Sequence, residues 1–573
     1  MNVKKINRRL QKNGFAAFSV HETEDGLVLT GKSDNWDEIV NAGFCAAKKY
    51  GRTHVINDCV FTGDAIPPIR APKLVDKAID GMKPDVLVIG GGVVGAATAR
   101  ELMRQKLDVL VVEKEYDLAI GASGRNDGCV HPGIDLLPGC EKRYYNVRGN
   151  RMFDQLAKDL DIEFDRCGQT VVFDSKKLLP LAPLIKLYFK CMGLGNVRVM
   201  TEKKLKAFEP ALRDGMKLGL FFPTGGVVCP YNLTIALGEN AAQNGAKFSF
   251  DTVVTGMETQ GGKITAVHTN RGTVYPRAVV NAAGVFTEDV AKMAGDRFFS
   301  IHPRKGTNTI LDHKTVSMVR TSYSLISELK EEGHSKGGGI IRTVDQNVLV
   351  GPDAFETYKK EDFTTEAKNV AAVFQKQGRA TERLRQSDAI TYFSGVRAAT
   401  FEEDFIVEKG RKCANIVHAA GIQSPGLTAA PAIAVALAKM CGEILTAQGK
   451  KAEKNPDFDP HRQGIPRLAK LPDAERAARI EKNPAYGEIV CRCEEISRGE
   501  IVDALHRPIP CVTVDGVKKR CRPGMGRCQG GFCGPQVAKI ISEECNIPLE
   551  AVRKAGEGSE LLFGKTKGGA ENG

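Results

Sequence analysis

Residues 85–100 read Asp-Val-Leu-Val-Ile-Gly-Gly-Gly-Val-Val-Gly-Ala-Ala-Thr-Ala-Arg: an apolar run of strand length, a cluster of glycines, and a helical stretch. Each glycine has a separate task. Gly90 permits the tight turn, Gly92 lets a pyrophosphate approach the backbone, and Gly95 lets the helix pack closely on the strand. The helix N-terminus then meets the phosphates with its positive dipole end. A second apolar strand, Asp108 to Glu113, ends in a carboxylate suited to the ribose hydroxyls. This order predicts a dinucleotide-binding α/β fold and leaves FAD and NAD both open.

The residues after Glu113 favour FAD. Lys114 is followed by a glycine-rich stretch from Ala119 to Gly133, containing Ser123, Arg125, Asn126, Gly128 and His131. An NAD domain would proceed here to a third βα unit. The stretch resembles the flavin-contacting segment of the D-amino-acid oxidase-like superfamily. Further matches follow in family order: Asp251 to Val254 for the adenine, Val279 to Gly284 with Ala283 over the cofactor, and Tyr392 to Arg397 with Gly395. Gly421 to Thr428 comes last, containing Ser424, Gly426 and Leu427. The resemblance implies that these residues bind FAD. It also implies a helix opening near Ala429 whose dipole stabilises charge on the reduced flavin.

Sixteen cysteines are present, and six fall between Cys491 and Cys533. A disulfide framework would call for export, and the basic Met1–Leu10 segment lacks the apolar stretch of a secretory signal. Cys491-Arg-Cys493 and Cys528-Gln-Gly-Gly-Phe-Cys533 place four thiolates in two close pairs, suiting a [2Fe–2S] cluster or zinc. With Gly499 to Leu505 and Lys519 to Gly530, they resemble the bacterioferritin-associated-ferredoxin-like [2Fe–2S] domain. That resemblance makes the four cysteines ligands and leaves Cys511 and Cys521 as extras. Lys518, Lys519, Arg520, Arg522 and Arg527 are expected to offset the cluster's negative charge.

The expected fold is α/β: a Rossmann-type FAD-binding domain interleaved with a mixed β-sheet substrate domain, between two small modules. Residues 1–63 form an αβ module resembling the BON domain. It has a hairpin turning at Asp25-Gly26, a helix from Trp36 and a last strand over Thr53–Thr62. A linker covers 64–84, the oxidoreductase 85–446, a connector with one short helix 447–486, the [2Fe–2S] domain 487–560, and a disordered tail 561–573. No apolar run approaches the ~20 residues that span a bilayer. The net charge of +12 is spread along the chain and lacks the aromatic interleaving of a nucleic-acid surface. A cytoplasmic protein is expected, peripheral at the membrane only through a partner.

Flavin passes two electrons where a [2Fe–2S] cluster takes one at a time, so the pairing points to a dehydrogenase that exports electrons. The domain order resembles the anaerobic glycerol-3-phosphate dehydrogenase large subunits, which implies an oligomer or complex with a flavoprotein or quinone-linked acceptor subunit. Arg397 matches that family's substrate-anchoring arginine, and its fork suits phosphate or carboxylate. His131 is the candidate base; His302 and Arg304 are weaker candidates. Glu402, Glu403 and Asp404 are expected to repel a phosphate dianion. That segment resembles L-2-hydroxyglutarate dehydrogenase, so the expected substrate is the secondary alcohol of a small anionic metabolite, either glycerol 3-phosphate or a rival 2-hydroxy acid. A secondary amino acid substrate, or a role as the electron-transfer subunit of a larger redox complex, are the alternatives.

Overall fold

The structure is a computed structural model that describes residues 2–134, 136–326 and 338–564. Most of the expected tail, 565–573, lies outside the described residues.

The mixed α/β architecture is organised by two sheets. The first has six strands in the order Lys247–Ser249, Val109–Val112, Val86–Ile89, Ala278–Asn281, Ile416–Ala420, Ile406–Lys409. All neighbours are parallel except the last pair. Val86–Ile89 and Val109–Val112 are apolar throughout because both faces are covered. Val86, Val88, Val109 and Val111 point to a helical layer that includes Val93–Leu102 and Gly426–Ala447. Leu87, Ile89, Leu110 and Val112 point the opposite way, onto the three-stranded meander Val254–Gln260, Lys263–Thr269, Gly272–Val274.

The second sheet is mixed and nine-stranded. Its longest pair is His302–Leu311 against Ala389–Ala399. In that register Gly306 faces Gly395, and Arg304 stands directly opposite Arg397. Two cationic side chains are thereby fixed at neighbouring points on one sheet face.

The N-terminal hairpin forms, Phe18–Thr23 with Gly26–Ser33, but Gly26 pairs with Thr23, so the turn is Glu24-Asp25, one residue before the expected Asp25-Gly26. The expected single strand over Thr53–Thr62 is instead two, Val55–Asn57 and Val60–Phe61, both parallel to Gly26–Ser33. The break comes where the Asn57 side chain accepts from the Cys59 N–H at 3.1 Å, a local turn that interrupts the ladder. A helix Val3–Lys12, unanticipated in the sequence, buries Ile6 and Leu10. The expectation about apolar runs also needs correction. The helix Gly426–Ala447 has the length and mean hydropathy (1.4) of a membrane span, yet 61% of that window is buried inside the protein. It packs between the helices Val93–Leu102 and Glu141–Asp159.

At the C-terminal end, helices Arg498–Leu505, Val514–Cys521 and Gly534–Glu544 enclose a separate small core. The first begins with a capping box between Ser497 and Glu500.

Candidate functional site

A cavity of about 950 Å³ runs from the glycine turn after Val86–Ile89 to the face of the second sheet. At the turn, Gly90 has φ +110°, and a Cβ on Gly95 would overlap the Gly90 carbonyl oxygen. The turn therefore needs both glycines. Ser123 Oγ accepts from the Val93 N–H at 2.9 Å, at the open N-terminus of the helix. The Glu113 carboxylate accepts from the N–H groups of Gly91 (2.5 Å) and Glu115 (2.9 Å). Burial nonetheless pushes its pKa up to about 7.

The expected cofactor residues Gly90, Gly92, Glu113, Lys114, Ser123, Arg125, Asn126, Val254, Ala283, Gly284, Gly395, Ser424, Gly426 and Leu427 all line this cavity. Gly95, Gly128, Gly421 and Thr428 do not line it. The Lys114 ammonium is ion-paired to Glu115 (2.7 Å) and Glu361 (2.5 Å). Arg125 braces the loop through the Ile120 carbonyl at 2.9 Å and lies over the Phe363 ring. Asn126 ties its own turn, donating to Ser123 O and accepting from the Gly128 N–H, both at 2.9 Å. An elongated slot with a bare glycine turn, a helix N-terminus and a buried acid at one end fits a dinucleotide cofactor.

At the far end the cavity meets His131, Lys142, Arg304, Arg397, Glu403 and Gln423. His131 is held through its backbone: its N–H donates to Thr428 Oγ1 (2.8 Å), and its carbonyl accepts from Asn150 (3.0 Å) and Asn146 (3.2 Å). Its Nε2 lies 3.4 Å from Ser424 Oγ. Arg304 bonds Glu356 and Glu403, each at 2.7 Å. His302 instead pairs with Glu356 (2.7 Å) and stacks on Phe401, away from the cavity lining. Arg397 donates to the Asp353 carbonyl at 3.1 Å. Among the described residues, no carboxylate lies within ion-pair distance of it. Burial and then the Arg304 charge lower its pKa.

The acidic run does not confront the cavity as expected. Glu402 turns to the N-terminal module, accepting from the Val55 N–H at 2.8 Å. Asp404 caps the helix Glu141–Asp159, accepting from the N–H groups of Lys142 (2.8 Å) and Glu141 (3.0 Å). Glu403 does face the cavity, between Arg304, Lys142 (3.5 Å) and Gln423 (2.7 Å). Burial pushes its pKa up, but the two cations outweigh this and hold it at about 2. Lys142 and Gln423 were not identified from sequence, because nothing local marks a residue brought in by a distant helix or turn.

The cysteine module forms two thiol pairs. Cys493 and Cys528 sulfurs are 3.9 Å apart, and Cys491 is hydrogen-bonded to Cys533. Two thiolates on one tetrahedral metal lie roughly 3.8 Å apart for 2.3 Å bonds. Among the described residues, no three ligand-type side chains converge on one point, as a single zinc would require. Two separate pairs fit a binuclear cluster, with one pair per iron. The Cys491 thiol is lowered to about 6, first by the Cys533 hydrogen bond and then by backbone N–H groups including Gly524. Gly530 and Gly531 N–H groups reach Cys528, as the glycines there suggest. Cys511 and Cys521 are buried apart from the four, and burial raises both thiols.

Of the five basic residues expected to offset cluster charge, the three arginines are ion-paired to carboxylates, while Lys518 feels the charge of Cys533. Arg520 makes a buried two-bond pair with Asp117 (2.8 and 2.9 Å). Arg522 bonds Glu494 (2.9 Å) and Asp345 (2.6 Å), and Arg527 reaches Asp312 (3.3 Å). The pairs with Asp117, Asp345 and Asp312 bind the module to the rest of the chain, and the pair with Glu494 lies within it.

Comparison with known proteins agrees with this geometry. Residues 85–440 match the family described as FAD dependent oxidoreductase, and residues 489–543 match the BFD-like [2Fe-2S] binding domain. A glycerol 3-phosphate dehydrogenase from Caloramator mitchellensis is 36% identical over 84% of this chain and 99% of its own length. One component of the anaerobic glycerol-3-phosphate dehydrogenase of Escherichia coli is 24% identical over 83% of this chain and 91% of its own length. The dithionite-reduced L-alpha-glycerophosphate oxidase of Mycoplasma pneumoniae with FAD bound superposes with a TM-score of 0.61. It is 25% identical and covers 66% of this chain and 98% of its own.

Proposed function

The chain belongs to the FAD-dependent oxidoreductases and carries a C-terminal BFD-like [2Fe–2S] domain; on that premise we propose that it oxidises the secondary alcohol of glycerol 3-phosphate. The carrying observation is the far end of the cavity, where the half-buried Arg397, with no carboxylate at ion-pair distance among the described residues, stands opposite Arg304 and lines the same wall as Lys142. The similarity to glycerol 3-phosphate dehydrogenases supports the same reading. FAD bound in the slot supplies a hydride acceptor, and the cluster a one-electron acceptor through which those electrons leave.

The chain's own residues do the rest. Gly90, Gly92 and Ser123 would hold the pyrophosphate, and Glu113 the ribose. Arg397 anchors the phosphate through its planar fork. Lys142 and Arg304 are balanced by Glu403 and Glu356, so the positive charge of that end comes from Arg397. His131 takes the hydroxyl proton through its imidazole as the carbon is oxidised. Its fixed backbone keeps the ring beside Ser424. Cys491 and Cys533 would hold one iron, and Cys493 and Cys528 the other. The Cys493 and Cys528 edge is exposed, which suits delivery to an acceptor protein. The E. coli relative is by name one subunit of a larger enzyme, which supports such an assembly.

Anaerobic addition of glycerol 3-phosphate to the purified protein tests the substrate. Bleaching of the flavin at micromolar to millimolar levels is expected, with weaker bleaching by L-2-hydroxyglutarate and by proline. Bleaching by either of those alone would overturn the assignment.

A further inference from the structure

Lys49 and Tyr50 belong to the N-terminal module, outside both matched families, yet they line the same cavity as His131, Arg304 and Glu403. The loop that carries them is fastened to the turn that carries Glu403. The Tyr50 N–H donates to the Glu402 carbonyl at 2.7 Å, and the Glu402 carboxylate holds the Val55 N–H. The neighbouring Phe401 is 2% exposed and forms part of the module's own core. Phe44 meets Phe401 and His302 edge-on, with centroids 6.0 and 5.1 Å away. Tyr50 adopts φ +57°, a left-handed conformation that a bulky residue keeps only when its surroundings impose it. Burial, with Cys140 and the Asp404 and Glu403 charges, pushes its hydroxyl up to about 12, so it stays protonated and able to donate.

We infer that Lys49 and Tyr50 form a substrate-specificity element, in which the N-terminal module completes the anion-binding end of the cavity. The inference rests on the glycerol 3-phosphate reading of that end. Lys142 and Arg304 are offset by Glu403 and Glu356, leaving Arg397 as the main unpaired charge. That suffices for a monoanion. A phosphate dianion gains from another cation, and the Lys49 ammonium is a compact charge on a flexible stem at the cavity wall. The Tyr50 hydroxyl adds a neutral donor. Together they favour a phosphate ester over an uncharged polyol such as glycerol.

The test uses the full-length, FAD-loaded protein with Lys49→Ala, Tyr50→Phe and, as a control on the same loop, Lys48→Ala. Anaerobic stopped-flow reduction by glycerol 3-phosphate gives a Kd and a limiting rate. Titration with inorganic phosphate, read from the spectrum of the oxidised flavin, gives a second Kd independent of turnover. Lys49→Ala is expected to raise both constants tenfold or more, with the limiting rate within twofold of wild type. Tyr50→Phe is expected to raise them about threefold, and Lys48→Ala to leave them unchanged. Wild-type Kd values in the Lys49 and Tyr50 variants would overturn the inference. If wild-type protein is not reduced by glycerol 3-phosphate, the substrate reading fails on its own. The phosphate titration then still decides whether these two residues complete an anion site.

Discussion

Two guanidiniums stand opposite each other in the ladder of His302–Leu311 with Ala389–Ala399, and their neighbours separate their roles. Arg304 is held by two carboxylates, so it organises the wall; Arg397 is left to meet a ligand. Replacing Arg397 by Ala removes a charge-assisted contact worth roughly 2–3 kcal/mol, so kcat/KM should fall roughly 30- to 150-fold. Steady-state kinetics with an artificial acceptor measures this, and an unchanged KM would remove the anchoring role. Glu403 gives a pH prediction. Its pKa is depressed in the folded state, so its stabilisation is complete above the ordinary carboxylate range near 4.5. It is lost as pH falls towards 2. The shift corresponds to roughly 3 kcal/mol. Glu403→Gln should melt lower than wild type at pH 6, and the gap should narrow at pH 3; a gap independent of pH would mean the carboxylate is not ionised there. The place of Gly90, Gly92 and Glu113 on the cavity wall could be read from sequence, because a glycine turn and the strand beside it are local features. Glu402 to Asp404 could not, since three adjacent acids turn to a strand, a cavity and a helix end that lie far apart along the chain.

Strands and helices follow the same division. Val86–Ile89 and Val109–Val112 were legible because burial on both faces demands an uninterrupted apolar run. Val55–Asn57 and Val60–Phe61 merged into one expected strand, because a two-residue break leaves little trace in apolar pattern. The helix Glu141–Asp159 shows what pattern alone omits, namely how closely an element must approach its neighbour. A Cβ on Gly149 would overlap the carbonyl oxygen of Thr428, at the start of Gly426–Ala447. Gly149→Ala therefore sets two effects against each other. Helix propensity gains up to about 1 kcal/mol, while overpacking costs typically 1–3 kcal/mol and more against rigid backbone. The clash should win. Because Thr428 Oγ1 holds the His131 N–H, the damage should reach the site. A lower Tm together with slower flavin reduction at saturating substrate is the expected result. A variant more stable than wild type would show that the two helices separate at little cost.

Across the whole molecule, both small modules are fastened to the oxidoreductase by apolar and charged contacts together. The N-terminal module shares an apolar core with it through Phe401 and pairs Asp58 with Arg297, whereas the cysteine module packs Ile509 on Leu118 and Ile235 and adds a more deeply buried ion pair. Asp117 and Arg520 are 1% and 2% exposed. Burial pushes the Asp117 carboxyl up, but Arg520 outweighs this and holds it ionised. Glu239 is gripped similarly by Arg507 of the module (2.7 Å) and Arg462 of the connector (2.6 Å), so the connector is part of the clamp. None of this was legible in the sequence, where the basic run around Arg520 looked like a counter-charge for a cluster. Asp117→Asn leaves Arg520 buried beside a neutral amide, and breaking a buried pair in this way costs roughly 3–5 kcal/mol. The module should then open more often, and limited proteolysis should cut the 447–486 connector at least ten times faster. Asp117→Leu combined with Arg520→Met separates charge from shape. Removing both partners of a buried pair is often neutral, so the double variant should resist proteolysis nearly as well as wild type. If it is cut as fast as Asp117→Asn, the interface depends on the pair itself. If neither variant is cut faster than wild type, the other clamps hold the module without Asp117.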